Sequence, residues 1–453
     1  MILAVRVLYN LLLPVFCVVA APAWILRMAR RGGLSRHLWE RLGFYDRSAE
    51  FEPGGGVYLH AVSVGEVMIA LKLIAQWRQD DAEEQFVLAA TTSTGFQVAT
   101  EKAPEGVRVI YSPVDFPFLI RGLFRRFKPR LIVLVDSELW PNMLDLAHRR
   151  EIPVALVNAR LSPRSARRYA RFKAVTAPLL QLLKLICAQA EEHRVMWQEV
   201  GVPENSVVVT GSVKFDLEHV AAPKVRADFQ HMLDAFGAGR PVVLAASTHA
   251  GEEVIVAEAV KTLPGALAVL LPRHAERRRE VQADLERAGF AVVLRSDFSP
   301  PGDPVGAVLV VDSTGELGEW TAHADVVVIG KSFLARGGQN PTEAIAARIP
   351  VVCGPNMENF EPLISELRAA SGVRTVKEGA SLAEAIASVL NRARDRKEMV
   401  QQGSAVLERH RGATARTVAL LKELGSGNKT LRLARSPGRP ADGGAGPSGR
   451  APW

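Results

Sequence analysis

A glutamate in the segment 60–67, which reads His-Ala-Val-Ser-Val-Gly-Glu-Val, has the surroundings that a general base requires. The apolar run 57–59 before it predicts a short buried strand, and the residues from Val67 to Trp77 predict a helix with an apolar stripe. Glu66 is therefore expected in the first turn of that helix, where unpaired N–H groups and the helix dipole favour an ionised carboxylate. An ionised carboxylate can accept a proton from a substrate, although on these residues alone a purely capping role is the commoner one.

A second group of residues has the pattern of a nucleotide site. The segment 337–343, Gly-Gly-Gln-Asn-Pro-Thr-Glu, follows an apolar run that ends at Gly330. Glycines allow the backbone to approach a phosphate, and a proline suits the first turn of a helix. In that turn, the carboxylate of Glu343 could accept hydrogen bonds from ribose hydroxyls. The order of strand, glycine pair, Asn-Pro and helix therefore favours a nucleotide site over a plain glycine-rich connection.

Two more polar segments of the second half follow predicted strands. Arg273, in the sequence Pro-Arg-His at 272–274, has a planar guanidinium that could bind a phosphate, or it could be a solvated member of the basic run 277–279. The segment 312–317, Asp-Ser-Thr-Gly-Glu-Leu, could hold a base or a ribose through backbone groups. It could equally be an ordinary turn followed by a helix cap.

Charged residues also follow predicted strands in the first half. Asp136 and Glu138 come directly after the apolar run 131–135, and two acids this close suggest a site for a hard cation. No third ligand is evident nearby and the chain has no Asp-any-Asp triplet, so we interpret Glu138 as an organic acid or polar anchor. On local grounds it could equally be an acid in the first turn of a helix. Lys214, after the run 207–209, could stabilise negative charge or could be an exposed lysine beside a linker.

These segments need a scaffold that brings the ends of strands together. Short apolar runs alternate with helical patterns through both halves of the chain, and each run is continuous rather than alternating. Such runs are typical of parallel strands that helices cover on both faces. For a chain of 453 residues, this predicts an α/β protein with two doubly wound domains that divide near residues 218–228. Ligands would bind at the carboxyl ends of the strands, in a cleft between the domains.

The N-terminus has the composition of a membrane anchor. The 20 residues from Val7 to Leu26 carry no charge, which is enough for about 30 Å of helix. Arginines are frequent after this stretch and rare before it, so the body is expected in the cytoplasm. A helix that lies in the membrane plane is less favoured, because the stretch is apolar all round. The three cysteines have neither metal nor disulfide spacing, which suits a reducing compartment.

The charge of the chain favours anionic partners. The formal net charge is +8, and arginines and lysines cluster in the stretches 121–130 and 160–173. Such clusters could bind nucleic acid or anionic lipid, although for any single arginine a simple solvated face is the commoner outcome. Beside a membrane anchor we expect an anionic lipid surface and no nucleic acid.

Taken together, these motifs resemble those of the bacterial 3-deoxy-D-manno-octulosonic acid (Kdo) transferases, from the anchor to about residue 422. The matching segments are 60–67, 136–142, 158–162, 211–216, 272–274, 315–317, 337–343 and 354–360. The resemblance implies a GT-B fold, in which two Rossmann-like domains face each other across the active site. It also implies transfer of Kdo from CMP-Kdo to the lipid A precursor, lipid IVA, in lipopolysaccharide core biosynthesis. The reaction would take place at the cytoplasmic face of the inner membrane, without a metal or another cofactor.

The resemblance further implies roles for single residues. Glu66 matches the general base of an inverting reaction, and Glu138 and Lys214 match positions that stabilise the transition state. The residues that match CMP-binding positions are Arg273, His274, Gly315, Glu316, Leu317, Asn340, Pro341, Thr342 and Glu343. The chain departs from the family pattern at Gln339, where histidine is usual, and at Asp136, where glutamate is common.

The expected domain organisation has four parts. These are a membrane anchor over 1–30, an acceptor-binding domain over 31–220, a CMP-Kdo-binding domain over 221–424 and a disordered tail over 425–453. The tail follows from the dominance of Gly, Ser, Pro, Arg and Ala after residue 425.

Two alternative functions remain open on the sequence. Another GT-B sugar-nucleotide transferase or an epimerase would share the nucleotide motif of the second half. A membrane-tethered anion-binding protein without catalysis would share the anchor and the positive charge. The segments around Glu66 and Glu138 favour the Kdo transferase over both.

Overall fold

The computed structural model describes residues 2–30, 36–45, 55–217, 224–377 and 381–427. Two α/β units are present in this part of the chain. The first is built from the residues up to Lys214, together with a C-terminal segment that begins at Gly412. The second is Phe215–Arg411.

The first unit contains a seven-stranded parallel sheet. Its strands are β1 (Val57–Ala61), β2 (Phe86–Ala90), β3 (Val107–Tyr111), β4 (Leu131–Val135), β5 (Val154–Ala159), β6 (Leu185–Ala188) and β7 (Val207–Val209). They lie in the order β3-β2-β1-β4-β5-β6-β7, and all neighbours are parallel. The strand order reverses between β1 and β4, which is the point where open α/β sheets bind ligands at the carboxyl ends of their strands.

Helices connect these strands and precede them. They are α1 (Ile2–Arg30), α2 (Val64–Asp80), α3 (Ser93–Lys102), α4 (Pro117–Phe127), α5 (Pro141–Arg149), α6 (Pro163–Arg171), α7 (Lys173–Leu180) and α8 (Glu191–Glu199). Short 3-10 helices lie at Arg36–Leu42, Glu204–Ser206 and Val213–Phe215. A proline begins α4, α5 and α6, because the missing N–H of proline would have no partner in a first turn anyway.

The continuous apolar runs are buried on both faces of the sheet, as predicted. Every residue of β4 is buried. Ile132 and Leu134 pack into one hydrophobic core, whereas Leu131, Val133 and Val135 pack into another. Because successive side chains of a strand point to opposite faces, a strand covered by helices on both sides is apolar at nearly every position.

The second unit repeats this plan. Its strands are β8 (Val242–Thr248), β9 (Leu267–Pro272), β10 (Ala291–Leu294), β11 (Ala307–Val310), β12 (Val326–Ile329), β13 (Val351–Cys353) and β14 (Arg374–Thr375). They form a parallel sheet in the order β10-β11-β9-β8-β12-β13-β14, and the order reverses between β8 and β12.

The helices of the second unit cover both faces of its sheet. They are α9 (Ala227–Asp234), α10 (Glu252–Lys261), α11 (Arg278–Arg287), α12 (Leu317–Thr321), α13 (Thr342–Ala346), α14 (Leu363–Ala369), α15 (Leu382–Asn391) and α16 (Ala393–Glu408). Short 3-10 helices lie at Ala275–Arg277, Arg295–Asp297 and Glu358–Phe360. The two core clusters of this unit again contain alternate residues of the same strands.

The last helix differs from the expected domain organisation. α17 (Ala413–Gly425) belongs to the first unit and packs against α2, whereas the sequence analysis assigned residues up to 424 to the second domain. Val418 and Leu421 join the same core as β4, and Arg416 donates two hydrogen bonds to the carbonyl oxygen of Thr210. Such long-range packing is not visible in local sequence patterns. The predicted tail lies outside the described residues from 428 onward.

The expected anchor is a helix throughout its described length. Among the described residues, α1 alone is long and apolar enough to cross a membrane, over the window Arg6–Ala23. Length and composition are the basis of that statement, so the anchor stays a prediction at this point.

Candidate active site

The carboxyl ends of β1 and β4 bring two predicted site residues, Glu66 and Glu138, into one region of the first unit together with Asp136. Glu66 lies in the first turn of α2, which follows β1. Asp136 follows β4 directly, and Glu138 comes two residues later. Because β1 and β4 are hydrogen-bonded neighbours, these acids lie at the reversal of the strand order.

Glu66 caps its own helix. One carboxylate oxygen accepts a hydrogen bond from the N–H of Val62 at 2.7 Å, and the other accepts one from the hydroxyl of Ser63 at 2.8 Å. The Ser63 oxygen in turn accepts from the N–H of Glu66 at 3.4 Å. This reciprocal arrangement resembles a capping box, and it fixes the side chain in one rotamer over the strand ends.

The electrostatic setting of Glu66 differs from the sequence-based expectation. Burial raises the pKa of Glu66 to about 7, the two hydrogen bonds oppose that rise, and the negative charges of Asp136 and Glu138 add to it. The helix N-terminus was expected to keep the carboxylate ionised, and that expectation is wrong in direction because only 8% of the residue is exposed. A carboxylate with a pKa near 7 remains well suited to accept a proton at neutral pH.

The two acids after β4 have different surroundings. Asp136 has a left-handed backbone, with φ of 63°, and its carboxylate accepts a hydrogen bond from the side-chain amide of Asn158 at 2.6 Å. Burial raises its pKa, while Asn158, Arg160 and Lys214 lower it. Burial also raises the pKa of Glu138, and the charge of Asp136 adds to that effect. The pair is therefore a local concentration of negative charge next to Glu66.

Lys214 lies in this same electrostatic neighbourhood. Burial lowers its pKa, the negative charge of Asp136 opposes that change, and the positive charge of Arg160 reinforces it. The first unit thus brings together all three predicted catalytic residues with Asp136 and Arg160, two charged groups that were not assigned a role.

Asn158 holds this region together and was missed as a site residue. It lies at the end of β5 with φ of 52°, where the strand register shifts, and it is 2% exposed. Its side-chain oxygen accepts hydrogen bonds from the Ser212 hydroxyl at 3.1 Å and the Val213 N–H at 3.0 Å, while its side-chain amide donates to Asp136. One amide therefore joins the loops after β4 and β7. A polar residue that ends an apolar strand is the signal that could have revealed it.

Five of the nine predicted nucleotide-binding residues line one cavity of the second unit. The cavity measures about 500 Å³, which is within the usual range for small-ligand sites. The five residues are Arg273, His274, Gly315, Leu317 and Glu343. They come from the ends of β9 and β11 and from α12 and α13. Three hydroxyl-bearing residues, Ser247, Ser313 and Thr314, also line this cavity.

The other four predicted residues support this cavity without lining it. The Glu316 carboxylate pairs with Arg295 at 2.8 Å and with Arg226 at 3.5 Å. Asn340 accepts hydrogen bonds from the N–H and the hydroxyl of Thr342, at 3.1 and 2.8 Å, and so orders the start of α13. Pro341 occupies the cap position of that helix.

The glycine-rich segment after β12 is required by packing. Gly337 and Gly338 have φ of 116° and 70°, and a Cβ on Gly338 would lie 2.4 Å from the sulfur of Met357. A Cβ on Gly330 would lie 2.3 Å from the carbonyl oxygen of Ser247. These close approaches account for the glycines within the protein itself, whereas the sequence analysis related them to a phosphate.

A buried carboxylate holds the same segment in position. Glu252 is fully buried in the first turn of α10, and it accepts backbone hydrogen bonds from Lys331 at 2.5 Å and Phe333 at 3.0 Å. It also accepts one from the N–H of His249 at 3.0 Å. Sequence reasoning did not assign Glu252 a role, because a first-turn glutamate looks the same whether it binds a distant loop or water.

No metal site emerges from the described part of the chain. Within the described ranges, no three His, Cys, Asp or Glu side chains come together in a way that could hold an ion. The expectation of a reaction without a metal or other cofactor stays a prediction.

Comparison with known proteins gives three findings. The family model described as 3-deoxy-D-manno-octulosonic-acid transferase (kdotransferase) matches residues 36–217. The 3-deoxy-D-manno-octulosonic acid transferase of Haemophilus influenzae is 33% identical over 392 residues, which are 85% of this chain and 91% of that protein. The protein of the same description from Bordetella pertussis is 33% identical over 416 residues, which are 88% of this chain and 95% of that protein.

A solved structure shares the fold. UDP-GlcNAc 2-epimerase from Neisseria meningitidis, bound to UDP-GlcNAc, aligns with a TM-score of 0.54 over 81% of this chain and 100% of that chain, at 16% sequence identity. This likeness concerns the fold alone. Together with the two seven-stranded parallel sheets, it confirms the predicted α/β architecture of the GT-B class.

Proposed function

Because the chain belongs to the 3-deoxy-D-manno-octulosonic acid transferase family, glycosyltransferases of lipopolysaccharide biosynthesis, we propose that it transfers Kdo from CMP-Kdo to lipid IVA with Glu66 as the general base. The observation that carries the proposal is the state of Glu66. Its carboxylate is fixed by Val62 and Ser63 at the carboxyl edge of the sheet, and its pKa is about 7.

The proposed chemical step is a single displacement. A hydroxyl oxygen of the acceptor attacks the anomeric carbon of Kdo, and the bond between that carbon and the CMP phosphate oxygen breaks. The electron pair of that bond leaves with CMP, and the hydroxyl proton passes to the carboxylate of Glu66. One base on the acceptor side is sufficient, and the configuration at the anomeric carbon inverts.

The charges around Glu66 support this step. Glycosyl transfer passes through a transition state with positive charge on the sugar, which the carboxylates of Glu138 and Asp136 can stabilise. Kdo itself is an acid, and Lys214 and Arg160 are cations in the electrostatic neighbourhood of Asp136. We propose that these cations bind the sugar carboxylate or the phosphate charge that develops on CMP.

The cavity of the second unit is the proposed CMP site. Arg273 would bind the phosphate with its planar guanidinium, and Glu343 would accept hydrogen bonds from the ribose. Backbone groups around Gly315, which has φ of 84°, would contact the base. Gln339, where histidine is usual, lies beside this site with its side-chain amide nitrogen 3.1 Å from Nε2 of His249.

The location proposed for the enzyme is the cytoplasmic face of the inner membrane. The apolar helix α1 supports this proposal, as do the basic residues that follow it. The acceptor is a lipid, so an enzyme held at the membrane meets its substrate in two dimensions. The anionic lipid surface is the corresponding partner.

The test is a transfer assay with a defined donor and acceptor. Incubation with CMP-Kdo and lipid IVA should release CMP and raise the acceptor mass by one or more Kdo units. Glu66→Gln should bind CMP-Kdo normally and lose transfer by at least about 100-fold, since general-base catalysis contributes about that much. Glu192→Gln is the matched control, because Glu192 is an exposed first-turn glutamate of α8 in the same unit.

Two results would contradict the proposal in different ways. Turnover with a UDP-sugar and none with CMP-Kdo would exclude CMP-Kdo as the donor and favour another GT-B transferase or an epimerase. Transfer by Glu66→Gln at a near wild-type rate would leave CMP-Kdo as the proposed donor and exclude Glu66 as the general base.

A further inference from the structure

The first turns of α1 are bound to the body of the first unit by polar side chains. The pairs are Arg6 with Asp145, Tyr9 with Asp115, and Asn10 with Asn142. Asn10 and Asn142 exchange two hydrogen bonds of 2.9 Å each, and the Tyr9 hydroxyl donates to Asp115 at 3.1 Å. Asp115 and Asn142 are at most 1% exposed, so these contacts are part of the interior of the unit.

One face of α1 continues this contact along the helix. The less exposed residues recur every three or four positions, and they are Arg6, Tyr9, Asn10, Leu13, Cys17, Ala20 and Ala21. This periodicity is that of one helical face, and α1 packs against α5 and α7. The opposite face is apolar and open, since Leu12, Phe16 and Val19 are 57%, 68% and 75% exposed.

The chain that follows α1 returns to the same part of the body. The carbonyl oxygen of Arg41 accepts a hydrogen bond from the N–H of Val114 at 3.1 Å, and Glu40 accepts one from the N–H of Tyr111 at 2.8 Å. Residue 114 immediately precedes Asp115, which binds the start of α1. Both flanks of the apolar stretch are therefore attached to one region of the first unit.

This attachment conflicts with a helix that crosses the bilayer. A crossing helix holds its two ends apart on opposite sides of about 30 Å of hydrocarbon. Here Arg6 and Asn10 near one end and Arg41 beyond the other end contact the same cytoplasmic body. We infer that α1 lies in the plane of the cytoplasmic leaflet, with its open apolar face among the acyl chains and its other face on the body.

The surroundings of α1 fit an anionic phospholipid surface. Exposed aromatic residues lie in the two chain segments described above, Trp39 and Phe44 in 36–45 and Phe118 just after Asp115, at 61%, 68% and 63%, and aromatic rings favour the bilayer interface. A cavity of about 480 Å³ runs along α1 and is lined by Arg121 and Arg149 among others, and such cations bind lipid phosphates. Apolar face, aromatic rim and basic flank are the three parts of an interfacial helix site.

The sequence analysis disfavoured this arrangement because the stretch is apolar all round. The few polar residues of the helix, Arg6, Tyr9 and Asn10, face the protein. The body of the first unit therefore takes the place of the water that the polar face of an interfacial helix usually contacts. The inference rests on the proposed membrane location and specifies the topology of that association.

The experiment measures depth in the bilayer at three positions of the purified full-length enzyme. A fluorophore is attached to single cysteines at Leu8→Cys, Val15→Cys and Leu26→Cys, in a chain whose native cysteines are replaced, in vesicles of phosphatidylethanolamine and phosphatidylglycerol. Leu8, Val15 and Leu26 lie on one helical face and are 59%, 59% and 53% exposed. Quenchers at known depths in the lipid then report the depth of each position.

An in-plane helix gives the same shallow depth at all three positions, about 5–10 Å below the headgroups. A crossing helix would put position 15 about 10 Å deeper than position 8, since each residue advances about 1.5 Å, and that result would overturn the inference. Labels that no lipid quencher reaches would also overturn it, because another protein surface such as a second copy would then cover the face.

A matched pair of substitutions tests the lipid contact itself. Val19→Asp should weaken binding to the vesicles at least about tenfold, whereas Val305→Asp, at an equally open valine of the second unit, should leave binding unchanged. Equal vesicle binding by both variants would contradict the inference. Kdo transfer is measured in the same vesicles. A negative result for the proposed function can then be distinguished from a negative result for the in-plane position of α1.

Discussion

The pH dependence of transfer tests the electrostatics around Glu66. The pKa of Glu66 is raised from its ordinary value of 4.5 to about 7. The ionised carboxylate that accepts the proton is then about one tenth of the total at pH 6 and about nine tenths at pH 8. We expect kcat to rise roughly tenfold over this interval, with a slope of one below pH 7. A glutamate with the ordinary pKa would give almost no change over the same range.

Glu138→Gln examines the cause of that raised pKa. The charge of Glu138 is one of the groups that raise the pKa of Glu66, so its removal should move the acid limb to lower pH. The assay is CMP release at saturating CMP-Kdo and lipid IVA, expressed as the ratio of kcat at pH 6 to kcat at pH 8. The ratio of the two kcat values separates a change in the pKa of Glu66 from a loss of rate that is the same at every pH. In the control variant Glu192→Gln, this ratio should equal that of the wild type. A flat wild-type profile, or a limb that moves to higher pH in Glu138→Gln, would refute the reasoning.

Three further outcomes are expected from single substitutions. Arg273→Ala should weaken CMP binding by calorimetry about 10- to 100-fold, since a hydrogen bond to a charged group contributes about 1.5–3 kcal/mol, whereas Arg287→Ala should not change it. Glu252→Gln should weaken CMP binding about tenfold through the loosened backbone of 331–333, and the pH profile should stay as it is. Glu66→Gln should unfold at higher temperature than the wild type at pH 8. The folded-state pKa of Glu66 is above the ordinary one, so its contribution to stability is complete below pH 4.5 and is lost as pH rises through about 7. The gain should be of the order of 1–3 kcal/mol at pH 8 and vanish near pH 4.

Much of the fold follows from the sequence because the scaffold is repetitive. Thirteen of the fourteen strands in the described part of the chain coincide with continuous apolar runs of the sequence, and the alternate burial in β4 and β12 shows why such runs mark strands covered on both faces. β14, with only Arg374 and Thr375, was missed because two residues without an apolar run carry no periodic signal. The assignment of α17 failed for another reason, since its partner α2 lies more than 300 residues away in the chain.

The sequence predicted which residue types form the candidate site, but it did not predict the raised pKa of Glu66. Sequence reasoning found Glu66 and its helix N-terminus, and from these inferred an ionised group. The pKa of a carboxylate depends on burial and on neighbours that are distant in sequence, and Asp136 and Glu138 lie in the loop after β4. Asn158 and Glu252 were missed for a related reason, because their partners lie in loops that are distant in sequence.

The contacts of α1 connect membrane binding with the proposed base at short range. Asp115, which binds Tyr9, also accepts hydrogen bonds from the N–H groups of Asn142 and Met143 at the start of α5. The residue before α5 is Trp140, whose ring centroid lies 5.1 Å from that of His60 in β1.

Trp140 and His60, the two residues of this ring contact, are each close in sequence to a residue of the candidate site. Glu138 is two residues before Trp140, and Glu66 is six residues after His60, in the first turn of α2. If α1 lies in the leaflet, the edge of the sheet that holds the base is held close to the lipid surface. The proposed lipid acceptor would then present its headgroup on the same side of the leaflet as Glu66 while its acyl chains remain in the membrane, which a body suspended from a crossing helix would not ensure.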